Sequence, residues 1–498
     1  MHIRPLADDI EVAGLPELDE NARLILRQDF RMRKDERFVA FWRVGDDAGV
    51  WDFGRLDPAT AVMVALFDGE RTVGQVISDF SAAAQVPAEK ARVALRRFIA
   101  GGEGRLVPIN GIPKEKLRCY DPRFFVMSPA KVDLGWKRPS APMALIWLLT
   151  NTCVADCIYC FAERQRHDQA GRLLSLARII EILEEAASYQ VSGVVLEGGD
   201  PFTHPHIVEV VRAMLERKIH IAASTKCGLS EAMIGRLAET GLRRLQVSID
   251  TVDPEVHALL TGAPGLLEKS MMTVRNAAAA GFTTLVNAVL TPYNVHQIRP
   301  LLEKMLELGS TSIHFSPYAR SGYVAREDLF LSEDELNRVG EEILKLQEQY
   351  PDKTIRMDRV AELPFAERGI CTAGVNSLTI HPDGKCVLCE QAPSDGPAVV
   401  GDLSVESLYE VWNSPRVEEF LLPDQSLFGD TACATCPDFS LCHEIRGRCF
   451  IQSFQAYGKL FAPQPICPRA PRPKVRPWSE RPHNADKLAD LTSAAASA

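Results

Sequence analysis

Cysteine is the side chain most able to do chemistry in this sequence, and eleven of the 13 cysteines fall into two groups. The first group occupies LTNTCVADCIYCF, where Cys153, Cys157 and Cys160 are separated by three and then two residues. In a large intracellular chain, dense thiols bind metal more often than they form disulfides. Cys119 and Cys227 stand apart and are expected to be ordinary buried or half-buried residues. The second group consists of Cys371, Cys386, Cys389, Cys433, Cys436, Cys442, Cys449 and Cys467.

The spacing of the first group favours an iron–sulfur cluster. Three thiolates on one loop after an apolar strand can hold three irons of a [4Fe–4S] cube and leave the fourth iron open to a small chelating molecule. The alternative is a zinc site, which needs four ligands and which His167 or Asp156 could complete. Zinc sites favour paired C-x₂-C units, so this spacing argues for the cluster.

The CxxxCxxC segment after a first strand, with the aromatic Tyr159 before its last cysteine, resembles the signature of the radical S-adenosylmethionine (SAM) superfamily. The resemblance implies that the open iron binds the amino and carboxylate groups of SAM. It also implies that one electron from the cluster cleaves SAM to methionine and a 5′-deoxyadenosyl radical, which takes a hydrogen atom from the substrate. The implied architecture is a partial (β/α)₆ barrel.

Four further segments resemble family motifs at the ends of successive strands: LEGGDP, STKCG, VSID and NAVLT. The first is similar to the GGEP motif that contacts the SAM amino group, with Asp200 where the family usually has Glu. In the second, Lys226 takes the place of the usual Asn. The third is similar to a stretch that lies near the SAM ribose or carboxylate. The residues that these resemblances implicate in SAM binding are Tyr159, Gly198, Gly199, Asp200, Ser224, Ser248, Asp250 and Asn287.

The second cysteine group resembles the SPASM domain, in which two auxiliary [4Fe–4S] clusters are bound. The match includes Gly384, which is separated from Cys389 by four residues, but Cys442 and Cys449 are separated by six residues where the family usually has three. Two structural zinc knuckles are the alternative. The resemblance assigns Cys433, Cys436, Cys442 and Cys467 to a distal cluster, and Cys371, Cys389 and Cys449 with the additional Cys386 to a proximal one. The total is then three [4Fe–4S] clusters.

Glu390 directly follows Cys389. Some SPASM enzymes place a carboxylate there as a general base, which a substrate radical needs when it loses a proton together with an electron. An exposed glutamate at the end of a hairpin is an equally simple interpretation.

Alternating apolar strands and amphipathic helices must position these residues. Six strand–helix repeats, with strands apolar along most of their length, predict an α/β unit whose parallel sheet is covered by helices. The pattern alone fits an open doubly wound sheet as well as a partial barrel. The expected strands are 144–149, 193–196, 220–224, 244–249, 284–290 and 312–316.

Residues 36–110 form a different pattern of two strands and three short helices, as in a winged helix. The stretch resembles the leader-peptide recognition domain of the pyrroloquinoline-quinone carrier protein type. That resemblance implies that an extended peptide adds a strand to the sheet edge, expected near Phe38–Val44, and packs on the helix Ala88–Ile99. The competing function is DNA binding, which only the arginines Arg92, Arg96 and Arg97 support.

Composition limits the remaining possibilities. The net charge of −10 disfavours nucleic-acid binding. No apolar stretch is long enough to span a membrane, and the N-terminus has acidic residues where a signal peptide needs an apolar core. The expected location is therefore the cytoplasm. The domains are expected at 1–35 (extension), 36–110 (peptide recognition), 111–142 (linker), 143–350 (radical SAM barrel), 351–468 (SPASM) and 469–498 (disordered tail).

Together these features predict a radical SAM enzyme that matures a ribosomally made precursor peptide or small protein. The expected product is an oxidative intrapeptide cross-link, with a thioether favoured over a carbon–carbon bond. A one-electron reductant such as flavodoxin or ferredoxin is the implied protein partner. Two alternatives are a maturase that makes formylglycine in sulfatases and a non-catalytic iron–sulfur electron-transfer or scaffold protein.

Overall fold

The computed structural model describes residues 15–45, 47–102, 104–109, 117–134, 138–162, 173–319, 326–357, 371–443 and 448–473. The chain divides into two units, Met1–Ser140 and Ala141–Ala498. Most of the expected disordered tail, from residue 474 onward, lies outside the described residues, as does His167. None of the described helices is long and apolar enough to cross a membrane.

The first unit contains two three-stranded antiparallel sheets with the orders β5-β1-β6 and β2-β3-β4, together with three helices. Its elements are β1 (Arg23–Leu26), β2 (Phe30–Lys34), β3 (Val39–Val44), β4 (Val50–Leu56), α1 (Pro58–Ala65), β5 (Asp68–Thr72), α2 (Val73–Ala84), α3 (Ala88–Ala100) and β6 (Leu106–Pro108).

Local sequence explains where the first two helices begin. Asp57 caps α1 by accepting a hydrogen bond from the Thr60 amide (3.0 Å), with Pro58 in the first turn. Thr72 and Gln75 form a capping box at the start of α2. The three predicted helices are therefore present.

The expected edge strand is wrong. Strand β3, which covers Phe38–Val44 apart from its first residue, is hydrogen-bonded to β2 on one side and to β4 on the other. The sequence pattern predicts only two strands here, because residues 1–35 show no decisive period. Strand β2 lies in that expected extension, as does β1 of the other sheet. The edges of the β2-β3-β4 sheet are therefore β2 and β4.

The second unit is built on one ten-stranded sheet. Its elements are β7 (Ala144–Thr150), α4 (Leu176–Ser188), β8 (Gly193–Gly198), α5 (Ile207–Glu216), β9 (His220–Thr225), α6 (Glu231–Glu239), β10 (Arg244–Ser248), α7 (Pro254–Thr261), α8 (Leu266–Ala279), β11 (Thr283–Leu290), α9 (Ile298–Glu307), β12 (Ser312–Pro317), α10 (Glu333–Gln349), β13 (Thr354–Met357), β14 (Ser377–Ile380), β15 (Lys385–Val387), β16 (Gly401–Asp402), α11 (Leu408–Trp412), α12 (Pro415–Leu421), α13 (Phe439–Leu441) and α14 (Phe450–Tyr457).

The strand order is β13-β12-β11-β10-β9-β8-β7-β14-β15-β16. All neighbours from β13 to β14 are parallel, as expected of a partial barrel, and β15 and β16 continue the sheet antiparallel. The six predicted strands are all present. The sheet also gains β13 beside β12, and β14 from the cysteine-rich region pairs directly with β7.

Candidate active site

The loop of the first cysteine group follows β7 and forms two backbone hydrogen bonds with the end of α7. The amides of Asp156 and Ile158 donate to the carbonyls of Thr261 (2.8 Å) and Leu260 (2.9 Å) at the end of that helix. Gly262 ends α7 in the left-handed conformation, φ +65°. The loop geometry therefore depends on a helix that the strand–helix pattern did not predict.

The GGDP loop after β8 forms backbone hydrogen bonds with the residues that lead into the cysteine loop. The Gly199 amide donates to the Thr150 carbonyl and the Asp200 amide donates to the Thr152 carbonyl, both at 2.7 Å. A Cβ atom on Gly199 would lie 2.0 Å from the Thr152 carbonyl oxygen, and one on Gly198 would lie 2.4 Å from the Thr150 oxygen. Both glycines are needed because the two backbones approach too closely for any side chain.

The Asp200 side chain points into the protein. Its carboxylate accepts hydrogen bonds from the Thr225 hydroxyl (2.8 Å) and from the amides of Phe202 (3.0 Å), Lys226 (2.7 Å) and Cys227 (3.2 Å). Burial raises the pKa of this carboxyl, and these donors oppose the shift. The side chain therefore ties the GGDP loop to the end of β9 and the turn that follows it.

Tyr159, Asp250 and Lys226 form a buried cluster beside the cysteine loop. The Tyr159 hydroxyl donates to the Asp250 carboxylate, which also accepts from the Val289 amide at 2.9 Å. The Lys226 ammonium lies 3.3 Å from the same carboxylate and 5.6 Å from the centre of the Tyr159 ring. The Tyr159 hydroxyl is thus engaged within the protein, and Lys226 supplies a positive charge that also interacts with the thiols of Cys157 and Cys153.

One face of the parallel sheet carries polar side chains that are only half-buried. Burial alternates along β9, β10, β11 and β12, so successive residues face either the helices or this more open face. Ser224, Ser248 and Asn287 all lie on the open face, and Ser248 is directly opposite Asn287. Asn287 accepts a hydrogen bond from the Ser316 hydroxyl (3.2 Å). Three of the residues that the sequence implicates in SAM binding therefore lie on the same side of the sheet.

The distal cysteine set is brought together by the structure. Cys433, Cys436, Cys442 and Cys467 line one cavity, together with His443, Arg448 and Arg469. Burial raises the pKa of the Cys433 thiol to about 11, and the nearby Arg448 lowers it. Four thiols around one cavity are the donor set that a [4Fe–4S] cluster needs.

The proximal set is brought together without Cys386. The thiols of Cys371, Cys389 and Cys449 interact electrostatically with one another. The Cys389 thiol also lies 3.8 Å from a carboxylate oxygen of Glu390.

Cys386 is instead fully buried on β15, and its thiol donates to the Gly384 carbonyl (3.5 Å). Burial raises its pKa well above the usual value, and the charged groups that act on it are carboxylates rather than the other cysteines. The Cys386 thiol therefore lies in the core rather than beside the other three cysteines of this set, and its assignment to the proximal cluster stays a prediction.

Cys227 is buried as expected, whereas Cys119 is exposed. Among the described residues, no three cysteine, histidine or carboxylate side chains converge on a point where a single metal ion could sit. A four-iron cluster does not require such convergence, because each thiolate binds a different iron atom.

Sequence reasoning missed two cations at these sites. Lys226 was visible as a substitution within a family turn, but its contact with Asp250 joins residues from two different strand ends. Arg448 precedes Cys449, inside the spacing that departs from the family pattern. That departure was the available signal.

Comparison with known families agrees with the first cysteine group and with the part of the second group that ends at Cys436. The radical SAM superfamily model matches residues 147–305, and the SPASM model, an iron–sulfur cluster-binding domain, matches residues 371–437. Both matches lie within the second unit.

Similar curated proteins include an AdoMet-dependent heme synthase of Methanosarcina barkeri, 23% identical over 349 residues (66% of this chain and 97% of that protein). A PqqA peptide cyclase of Ruegeria pomeroyi is 26% identical over 346 residues (66% and 88%). Among solved structures, Streptococcus suis SuiB bound to its precursor peptide SuiA superposes with a TM-score of 0.61 at 16% identity, covering 89% of this chain and 98% of that one. At this identity the likeness shows a shared fold.

Proposed function

We propose that this chain, which matches the radical SAM and SPASM family models, installs an oxidative cross-link within a ribosomally made precursor peptide. A thioether is our first choice for the new bond and a carbon–carbon link is the second. The observation that carries the proposal is that the chain has, besides the cluster-binding unit, an N-terminal unit in which β4 is an edge strand within the described residues.

The second unit alone does not define the substrate, because a heme synthase and a peptide cyclase match similar shares of the chain. The N-terminal unit favours a peptide. The likeness to peptide-bound SuiB covers 89% of the chain, which is more than the second unit contains, so it extends into the first.

Strand β4 is the proposed docking edge. The other edge strand, β2, is already contacted, since the Met32 amide donates to the Tyr120 hydroxyl at 3.0 Å. Within the described residues, β4 has β3 as its one sheet neighbour. An extended peptide can pair with such an edge through backbone hydrogen bonds, and side-chain pockets then fix its register. Helix α3, whose Phe98 packs on Phe41 of β3, is the proposed second contact surface for the bound peptide.

Two of the arginines that suggested DNA binding are engaged in contacts within the protein. Arg92 pairs with Glu20 and Glu89, both at 2.7 Å, and the Arg96 guanidinium donates to backbone carbonyls of Leu15 and Pro16. Two of the three arginines that suggested a nucleic-acid surface are thus bound within the chain.

When bound, SAM and the clusters supply a 5′-deoxyadenosyl radical and an acceptor for the second electron. The glycines of the GGDP loop and the polar side chains of the open sheet face are the proposed SAM contacts. Glu390 is the proposed base: its half-buried carboxylate beside the proximal thiols takes the proton that the peptide loses on oxidation. Flavodoxin or ferredoxin would supply the first electron in the cytoplasm.

The test is anaerobic incubation of the purified protein with SAM, dithionite and the short peptides encoded beside its gene. We expect 5′-deoxyadenosine together with a peptide that has lost two hydrogen atoms, located by tandem mass spectrometry. Absence of 5′-deoxyadenosine would favour an electron-transfer or scaffold protein. Formylglycine at a cysteine or serine, in place of a cross-link, would favour the sulfatase-type activity.

Two variants separate the steps. Cys153→Ala should abolish 5′-deoxyadenosine, whereas Cys227→Ala, a buried thiol outside both groups, should retain it. Glu390→Gln should retain SAM cleavage and lose the cross-link. Normal product formation by Glu390→Gln would contradict the role of this residue as the base.

A further inference from the structure

Arg448 occupies an unusual position between the two auxiliary cysteine sets. It directly precedes Cys449 of the proximal set, and its side chain lines the cavity formed by the four distal thiols. The family pattern has three residues between the cysteines at this point, whereas this chain has six, and Arg448 is one of them.

Among the described residues, the hydrogen-bond partners of Arg448 are neutral. Its guanidinium donates to the Ser453 hydroxyl (3.2 Å), to the carbonyls of Leu460 and Ala462, and to Nε2 of His443 (3.3 Å). The Nδ1 atom of His443 lies 2.8 Å from the Phe439 carbonyl and carries the proton, which leaves Nε2 as an acceptor.

Aromatic rings complete the surroundings of this guanidinium, which lies 5.0 Å from the centre of the Phe428 ring and 5.9 Å from that of Phe461. In the described part of the chain, no carboxylate lies within ion-pair distance of it. Arg448 is half-buried, and a cation partly removed from water without a carboxylate partner is unfavourable unless another negative charge compensates it.

The cysteines nearest to Arg448 come from both sets: Cys433 and Cys442 line the same cavity, and Cys449 is its neighbour in the chain. An arginine side chain stays protonated in proteins. Arg448 therefore places a positive charge beside two cysteines of the distal set and one of the proximal set.

We propose that Arg448 is a positioning residue that compensates the charge of both auxiliary clusters and thereby raises their reduction potentials. Uptake of one electron adds one negative charge to a cluster, and a fixed cation nearby stabilises that reduced form. Without the cation, each auxiliary cluster would be a poorer acceptor for the electron released by the substrate. The inference depends on the auxiliary clusters and not on which bond the enzyme makes.

The experiment is a redox titration of the full-length, anaerobically reconstituted protein, followed by electron paramagnetic resonance without SAM or peptide. In Arg448→Met and Arg448→Gln the reduction equilibrium of the auxiliary clusters should fall about tenfold, which is about 59 mV for one electron. Arg448→Lys, which keeps the charge, should stay close to the wild type. The SAM-binding cluster provides an internal reference and should not shift.

Arg469→Gln is the matched control. Arg469 lines the same cavity, but its charge is already paired with Asp438 at 2.8 Å, so its loss should shift the potentials much less. Auxiliary potentials that are unchanged in the neutral variants, or equally lowered in Arg469→Gln, would overturn the proposal. If the neutral variants fail to retain auxiliary iron, Arg448→Lys decides: wild-type potentials support the charge, and lowered potentials refute it.

Discussion

Cys386 and Cys389 lie three residues apart on one hairpin, yet their thiols face different surroundings. Cys386 is on β15, paired with Ile380 and Gly401, and points into the apolar core. Cys389 follows the strand and meets Cys371, Cys449 and Glu390. Residue type is therefore a weaker guide to iron binding than position relative to the strand.

Replacement of these two cysteines by alanine should have opposite consequences for iron binding. Cys389→Ala should lose the proximal cluster, because only two thiols would remain there. Cys386→Ala should keep all three clusters and lose stability by roughly 1 kcal/mol, since it removes a small buried side chain. Iron per chain and thermal unfolding measure both effects, and a loss of iron in Cys386→Ala would restore it as a ligand.

The sequence was sufficient to locate the cysteine loop and the distal set, because their spacing is local. It could not separate Cys386 from the ligands, because spacing does not report which face of a short strand a residue occupies. Nor could it show that the Asp200 carboxylate is occupied by four donors, three of which come from the turn after β9.

At the scale of elements, the cysteine loop is set by backbone contacts from its neighbours. Thr150 and Thr152 accept hydrogen bonds from the GGDP loop, while Leu260 and Thr261 accept from the loop itself. Helix α7 had a readable start, since Asp253 precedes Pro254 as a cap followed by proline in the first turn. Strand β13 is four residues long with a single fully buried residue, which is too short for a clear period.

Gly199→Ala should displace the cysteine loop, because its Cβ would meet the Thr152 carbonyl oxygen at 2.0 Å. We expect loss of SAM-cluster iron and of 5′-deoxyadenosine formation, with the auxiliary clusters retained. The control is Gly235→Ala on α6, where a Cβ meets no atom within 4 Å and should stabilise the helix by about 0.5–1 kcal/mol. Full iron content and normal SAM cleavage in Gly199→Ala would show that the backbone can adjust.

At the scale of the whole molecule, the two cluster-binding regions of the second unit share one sheet. Strand β14 pairs in parallel with β7 from Ala144 to Trp147, so the strand that leads into Cys153 is flanked by one from the cysteine-rich region. This pairing joins segments far apart in the sequence, and no local pattern could have revealed it. The domain boundary expected at residue 350 therefore does not separate two independent cores.

A chain that ends at Met357 should fail to fold as a soluble monomer. It would lack β14 and leave the apolar strand β7 as an exposed edge, which promotes aggregation. Size-exclusion chromatography and thermal unfolding of this truncated chain and the full-length protein would show the difference. A soluble, monomeric truncated protein that cleaves SAM at the normal rate would contradict the shared-sheet interpretation.

The pairing of β14 with β7 also imposes an order on biosynthesis. Ala144–Thr150 leaves the ribosome long before Ser377–Ile380, so the edge of β7 waits unpaired while the intervening residues are translated. The strand that leads into the loop of Cys153, Cys157 and Cys160 gains its second neighbour only when the cysteine-rich region has emerged. Until then β7 exposes an apolar strand edge, to which a strand of another chain can pair.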